Sequence, residues 1–237
     1  MNIAMIIAGG SGNRMHQDIP KQFLTVNEKP VIIYTLEVFQ KHPAIDEIAV
    51  VCIEGWEQVL WAYVRQFNLT KVTVIVKGGD CGQNSIYRGL EEIGKNHELD
   101  DIVLIHDAIR PMVSEEIISD CINKTVEHGS AIACIPCAEA MLVSENQENS
   151  SQIFDRNHLK RTQTPQGFRV GRLLDIHKKA LEQGITNSTA SCTLMIEMGQ
   201  EVYFSKGSEK NIKLTTVEDI DIFKALLLAK RAEWLKE

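Results

Sequence analysis

Positive charge is the scarcer sign in this chain: 25 Lys and Arg stand against 32 Asp and Glu, a formal net charge of −7 at pH 7. A general nucleic-acid binder needs a basic face to neutralise phosphates, so that class is excluded. A small phosphorylated ligand is not excluded, because a few local cations can dominate a cleft. Long apolar runs are missing as well. No stretch approaches the roughly 20 residues that cross a bilayer, and no charged-then-apolar leader precedes the first strand-like segment. The expectation is a soluble, cytoplasmic protein with no membrane partner. Glycine (15) and proline (6) are too few among 237 residues for a fibrous or low-complexity chain. The six cysteines form no metal-binding or disulfide pattern. Cys134-Ile135-Pro136-Cys137 has no second pair and no flanking His cluster, and it lies on a strand-like run and not at a helix start. It reads as core thiols, with oxidation of the pair left open.

What is present is an alternation. Residues 3–8, 48–53, 72–76, 102–105 and 130–135 are short apolar runs. Helical spacing recurs over 31–39 behind Pro30, over 56–67, over 84–93 and over 115–127, the last with Ser114 as its cap. Strands alternating with helices indicate βαβ units, and continuous apolar strands fit a mostly parallel sheet covered on both faces. Residues 137–155 break the pattern. They are polar and read as an exposed hairpin or arm. Beyond them the spacing predicts a helix over 170–184, a strand over 202–205 and a terminal helix over 216–236, capped by Thr215 or Thr216 with Glu218 and Asp219 in its first turn. No internal repeat and no linker interrupts the chain, so one domain is expected over 1–237, with the arm at about 137–155. In sheets of this kind ligands bind beyond the carboxyl ends of the strands. That brings Ala8 to Met15, Gly78-Gly79-Asp80 and His106-Asp107 to one rim.

The first of these stretches, Ala8-Gly9-Gly10-Ser11-Gly12-Asn13-Arg14-Met15, is a glycine-rich turn behind a strand. Glycine admits left-handed backbone and lets a ligand approach the N–H groups, and successive N–H groups make an anion-binding concavity. The turn is not a P-loop, because no Gly-Lys-Ser/Thr follows. It is not a dinucleotide fingerprint either, because Met15 stands where the third glycine belongs. Arg14 and Lys21 flank the loop. Two cations beside a bed of backbone donors suit a triphosphate; the alternative is a tight strand exit with two solvated cations.

Ala8-Gly9-Gly10-x-Gly12-x-Arg14-Met15 followed by Pro20-Lys21-Gln22 resembles the signature of sugar-phosphate nucleotidyltransferases. It is similar, more narrowly, to the cytidylyltransferases that act on 2-C-methyl-D-erythritol 4-phosphate or D-ribitol 5-phosphate. Further matches follow in order: Gly78-Gly79-Asp80 with Ser85; His106-Asp107-Ala108-x-Arg110-Pro111; Asp155-Arg156; Gln163-Thr164-Pro165-Gln166; and Asn211-Ile212-Lys213-Leu214-Thr215. The resemblance implies a Rossmann-like, three-layer αβα nucleotidyltransferase fold with a mostly parallel twisted sheet and a protruding β-hairpin dimerisation arm. It implies Mg²⁺-dependent transfer of CMP from CTP to the phosphate of a polyol phosphate, by in-line attack on the α-phosphorus with release of pyrophosphate, in a homodimer.

The resemblance also implies residue roles. Ala8, Gly9, Gly10 and Gly12 hold the nucleotide through their backbone. Arg14 and Lys21 hold the triphosphate and stabilise the transition state, and Lys213 brings a further cation to the α-phosphate. Gly79, Asp80 and Ser85 contact cytosine and ribose. Asp107 positions Mg²⁺ or substrate hydroxyls, while Arg110 and Thr164 orient the acceptor. Arg156, at the end of the arm, completes the acceptor site of the neighbouring subunit. His106 beside Asp107 reads as a structural or orienting group. A phosphate oxygen is already ionised at neutral pH, so no general base is required.

Three departures fall on the acceptor side of the pattern. Glu139-Ala140 stands where the family carries Asp-Thr. Asn187-Ser188-Thr189-Ala190-Ser191 stands where it carries an acidic segment. Gly82 or Gln83 stands in place of an Arg after Gly-Gly-x. Ala8-Gly9-Gly10 and Pro20-Lys21-Gln22-Phe23 lean toward the ribitol branch, whereas Asp155-Arg156-Asn157-x-Leu159 leans toward the methylerythritol branch. Other readings stay open at this point: an acceptor for a surface polysaccharide, a different nucleotide, or a nucleotide-binding regulatory protein that has lost acceptor chemistry.

Overall fold

Strand β1 (Asn2–Ala8) is buried along most of its length and sits near the middle of the sheet. The computed structural model describes residues 1–10 and 19–234. Alternate β1 side chains feed opposite faces. Ala4 and Ile6 enter one apolar cluster, and Ile3 and Met5 enter the other. A period-two strand buried on both sides must be apolar at every position, which is why residues 3–8 form a continuous apolar run. Two short strands, β2 (Thr25–Val26) and β3 (Lys29–Pro30), pair only with each other, while β1 pairs in parallel with β4 (Glu47–Cys52) on one side and β6 (Ile102–Asp107) on the other. β5 (Val72–Lys77) extends the sheet beyond β4, again in parallel.

The first face is covered by α1 (Val31–Lys41), α2 (Glu57–Gln66) and α4 (Glu115–His128). The second is covered by α3 (Gly82–Ile93), α5 (Val170–Glu182) and α6 (Ser191–Glu197). The result is a three-layer αβα sandwich. α3 lies so close to the sheet that a Cβ at Gly89 would run into the side chains of Met5 and Val51. Ser114 caps α4, its hydroxyl accepting from the N–H of Ile117 at 3.3 Å. No helix among the described residues is long and apolar enough to cross a membrane.

β7 (Ser130–Pro136), β10 (Lys160–Arg169) and β11 (Phe204–Lys206) complete one side of the sheet, in the order β11-β7-β10-β6-β1-β4-β5. β10 is antiparallel to both β6 and β7. The sequence reading has no strand there, because Lys-Arg-Thr-Gln-Thr-Pro-Gln-Gly carries no apolar run and contains a proline. The proline is tolerated because the ladder slips between Thr162 and Gln166, and an irregularity is where a sheet accepts a residue with no N–H. The reading also lacks α6. The late strand starts two residues later and ends one residue later than the predicted 202–205. The terminal helix α7 (Val217–Trp234) begins where expected; Thr216, not Thr215, caps it, accepting from the N–H of Asp219 at 3.3 Å. α7 closes a third apolar cluster through Phe223, which meets Tyr34 edge-on at 5.1 Å.

The expected arm is a two-stranded ribbon, β8 (Met141–Val143) paired with β9 (Gln152–Phe154). Its apolar side chains are exposed, including Leu142 at 64% and Ile153 at 83%. Cys134 and Cys137 are free thiols, Cys137 buried and Cys134 partly so.

Candidate active site

Because β1, β4, β5 and β6 are parallel, their carboxyl ends share one rim, and a cleft of about 1040 Å³ opens there. Ala8, Gly9 and Gly10 leave β1 at its floor. A 3-10 turn over Lys21–Phe23 returns beside them. Gln22, 1% exposed, donates its amide to the carbonyls of Ala8 at 2.7 Å and Gly10 at 3.1 Å. That pins the glycine turn to the segment that carries Lys21.

The neighbouring wall is Gly78-Gly79-Asp80 and the start of α3. Ser85 receives the N–H of Gly79 at 3.0 Å. A Cβ at Gly79 would stand 2.6 Å from the Cβ of Asn84 and 3.0 Å from its carbonyl carbon, so only glycine lets the loop fold back onto the helix. Asn84 donates to the Asp80 carboxylate at 2.5 Å, and that bond is the main cause holding Asp80 below the usual carboxylate range.

The opposite wall is a charged knot. Asp107 ends β6. One carboxylate oxygen accepts from Arg110 Nε at 3.0 Å and the other from Lys213 Nζ at 3.1 Å. Burial alone would raise the Asp107 pKa, but Lys213 and Arg110 outweigh it and keep the carboxyl ionised below its ordinary value. Arg110 also donates from Nη1 to the carbonyl of Asn211 at 2.8 Å, and Leu214 N–H reaches the carbonyl of Ile109 at 2.9 Å. Gln163 fastens the same loop through Ser208, donating to its carbonyl at 2.9 Å and accepting its N–H at 3.1 Å. These bonds carry Lys213 from a distant part of the chain to the end of β6. Behind the knot lies His106, fully buried, whose pKa burial drives down to about 3, so the ring is neutral.

The slip in β10 positions Thr164, which precedes a cis Thr164–Pro165 peptide. Its hydroxyl faces His106 Nδ1 at 3.0 Å and receives the N–H of Asp107 at 3.1 Å.

Residues 2–229 match the 2-C-methyl-D-erythritol 4-phosphate cytidylyltransferase (IspD) family. The chain belongs to this family. It is therefore a cytidylyltransferase, an enzyme of the CTP-dependent nucleotidyltransferase class. A ribitol-5-phosphate cytidylyltransferase of Lacticaseibacillus paracasei is 44% identical over 97% of this chain and 99% of its own length. A 2-C-methyl-D-erythritol 4-phosphate cytidylyltransferase of Clostridium botulinum is 36% identical over 95% of this chain and 97% of its own. Among solved structures, the Francisella tularensis 2-C-methyl-D-erythritol 4-phosphate cytidylyltransferase superimposes with a TM-score of 0.78 at 28% identity, covering 93% of this chain and 97% of that one.

In this cytidylyltransferase the cleft collects most residues that the sequence motifs single out: Ala8, Gly9, Gly10, Lys21, Gly79, Asp80, Ser85, Asp107, Arg110, Thr164 and Lys213 all line it. Gly12 and Arg14 lie outside the described residues. Arg156 does not line the cleft of its own chain; it follows the arm, and its guanidinium donates to the carbonyl of Ala138. Two of the three sequence departures face each other. Gln83 donates to the carbonyl of Ile185 at 2.7 Å and accepts the N–H of Ser188 at 2.8 Å. A neutral amide thus ties the start of α3 to the loop over residues 185–188.

Several site residues carry no role in the sequence reading. Gln22 and Gln163 lie inside the quoted motifs, each next to the residue to which a role was given. His177 lines the cleft from α5 and has no motif around it.

Proposed function

We propose that this enzyme transfers CMP from CTP to the phosphate of D-ribitol 5-phosphate, giving CDP-ribitol and pyrophosphate. The observation that carries the reading is one cleft with a glycine cradle and Lys21 on one wall and the Asp107–Arg110–Lys213 cluster on the other. The acceptor preference is supported by the relatives: ribitol-5-phosphate enzymes at 39 to 44% identity, against methylerythritol enzymes at 35 to 36%. The second reading, 2-C-methyl-D-erythritol 4-phosphate as acceptor, is favoured by the family match itself.

An ionised acceptor phosphate oxygen attacks the α-phosphorus in line with the departing pyrophosphate. The chain contributes position and charge, not proton transfer. Backbone N–H groups of the Ala8–Gly10 turn hold the nucleotide, and Gly79, Asp80 and Ser85 select the base and ribose. Arg14 and Lys21 offset charge growing on the pyrophosphate. Lys213 exchanges its bond to Asp107 for the α-phosphate, and Arg110 and Thr164 orient the acceptor. Asp107 also suits Mg²⁺. It is a hard oxygen donor kept ionised on the cleft wall, and Mg²⁺ commonly takes one or two carboxylates and fills its shell with water and substrate phosphates. No group of three or more His, Cys, Asp or Glu that could hold a metal collects among the described residues, so the donor set fits an ion shared with CTP. When bound, Mg²⁺ supplies charge neutralisation across the phosphates.

An isolated two-stranded ribbon is at best marginally stable in water, and β8–β9 exposes Met141, Leu142, Val143, Ile153 and Phe154. In this reading the arm packs on a second copy of the chain, and Arg156 reaches the neighbour's acceptor pocket. Pyrophosphate release from CTP, measured with Mg²⁺ across a panel of polyol phosphates, tests the function. Turnover highest with D-ribitol 5-phosphate is expected. CTP binding by calorimetry with no product from any acceptor would overturn it.

A further inference from the structure

His106 takes part in the charged knot without touching any charge in it. It occupies the last-but-one position of β6, buried, with its ring centroid 5.0 Å from that of Phe39. Nε2 faces the carbonyl oxygen of Arg110 at 3.3 Å, and Nδ1 faces Thr164 Oγ1 at 3.0 Å. A carbonyl oxygen can only accept, so Nε2 carries the hydrogen, and Nδ1 of the neutral ring is then an acceptor. It takes the hydroxyl hydrogen of Thr164. The same hydroxyl oxygen receives the N–H of Asp107 at 3.1 Å.

The direction of every bond in this chain is therefore set: Asp107 N–H to Thr164, Thr164 O–H to His106, His106 N–H to Arg110. Among the described residues, these bonds leave one lone pair free on the Thr164 oxygen, which sits on the cleft wall. Asn211 steadies the other side of Thr164, donating to its carbonyl at 2.8 Å.

We propose that His106 is a positioning residue for the transfer reaction and sets the polarity of the acceptor pocket: by drawing in the Thr164 hydrogen, it makes Thr164 a pure acceptor that bonds a donating hydroxyl of the polyol and not a phosphate oxygen. The proposal rests on the reading of this wall as the acceptor site. A phosphate oxygen at Thr164 would set lone pair against lone pair. A polyol hydroxyl there satisfies both partners, and the acceptor phosphate is left to the cation Arg110.

The two ring nitrogens can be tested separately. In His106→Asn the side-chain oxygen can replace Nδ1 as the acceptor for Thr164. In His106→Gln the amide nitrogen can replace Nε2 as the donor to Arg110, and the acceptor is lost. Expected is a fall of about tenfold in kcat/KM for the acceptor in His106→Gln and in Thr164→Val, the equivalent of one hydrogen bond, with CTP affinity by calorimetry unchanged. His106→Asn, which keeps the acceptor, and Thr164→Ser, which keeps the hydroxyl, should recover most of what the Gln and Val variants lose. The double variant His106→Gln with Thr164→Val should be no worse than Thr164→Val alone, because the histidine acts only through that hydroxyl. Equal losses in the Asn and Gln variants, or CTP and acceptor affinities falling together with the melting temperature, would overturn the proposal in favour of a purely structural histidine. Should the histidine variants fail to fold, the Thr164→Ser and Thr164→Val pair carries the kinetic test. Nitrogen-15 NMR of the parent enzyme reads the tautomer directly and independently of turnover: a hydrogen on Nδ1 ends the argument, whereas absence of turnover with every polyol phosphate would refute the function and leave the tautomer result standing.

Discussion

Gln22 is the buried group on which the nucleotide cradle depends most directly. It donates to the carbonyls of Ala8 and Gly10 at 2.7 and 3.1 Å. Ala8 keeps a second donor, the N–H of Ile53 at 3.1 Å, so Gln22→Leu deprives mainly the Gly10 carbonyl. Each bond contributes about 0.5–1.5 kcal/mol net, and the loss falls toward the lower end for Ala8, giving a destabilisation of about 1–2 kcal/mol. Nothing else described holds the Gly10 carbonyl by a hydrogen bond, so the turn loosens and CTP affinity falls by about tenfold. Gln22→Glu is the sharper variant. An ionised Glu can only accept, and it would face two carbonyls, so it should cost more than the Leu variant at neutral pH. Its folded-state pKa is then raised above the ordinary value of about 4.3. For a raised carboxylate the folded form holds the proton more tightly than the unfolded one. The deficit is therefore absent below that ordinary value and grows as pH rises through it. Urea unfolding at pH 7 and pH 5, and calorimetric titration with CTP, measure both effects against the parent. Parent-like stability and CTP affinity in Gln22→Leu would refute the pinning argument, and a Glu variant no worse than the Leu variant would refute its electrostatic part.

Asp107→Asn keeps the shape of the side chain while removing the charge that meets Arg110 at 3.0 Å and Lys213 at 3.1 Å; turnover by pyrophosphate release should drop by about a hundredfold or more, and near-parental turnover would exclude Asp107 from the reaction. His177 is buried with neither ring nitrogen bonded among the described residues, and burial pushes its pKa down to about 4. The unfolded chain takes up that proton near 6.5, so its share of stability is complete above pH 6.5 and is lost toward pH 4, at up to about 1.4 kcal/mol per pH unit. His177→Leu should make the acid limb of urea unfolding shallower, and an unchanged limb would assign the loss elsewhere. Leu142→Asp and Ile153→Asp place charge on the exposed ribbon and should shift sedimentation toward the monomer, while Arg156→Ala should lower turnover and leave the assembly intact; unaltered sedimentation in both ribbon variants would remove the arm as a dimer contact.

Local sequence carried the αβα alternation because its cause is local. Side chains on β1, β4 and β6 are buried on both faces and must be apolar throughout, and the helices repeat their apolar face every three to four residues. Gly9-Gly10, Gly78-Gly79 and His106-Asp107 were legible for the same reason: each lies at or just beyond the carboxyl end of a strand in a parallel sheet. β10 was not legible. Its residues resemble a loop, and only pairing with β6 and β7 on either side makes them a strand. α6 escaped as well, since seven residues behind a polar stretch give too short a period to read.

By itself, then, the sequence determined the layers, the rim and the residue types that crowd it. The tertiary structure alone decided what those residues do to one another. Lys213 and Asp107 are 106 positions apart, and Thr164 and His106 are 58 apart. No spacing rule reaches across such intervals, because the distance in space is set by how β6, β10 and the loop before α7 come together. Only there do two cations keep one carboxylate ionised, a histidine receive the hydrogen of a threonine, and the amide of Gln83 hold the loop at Ser188.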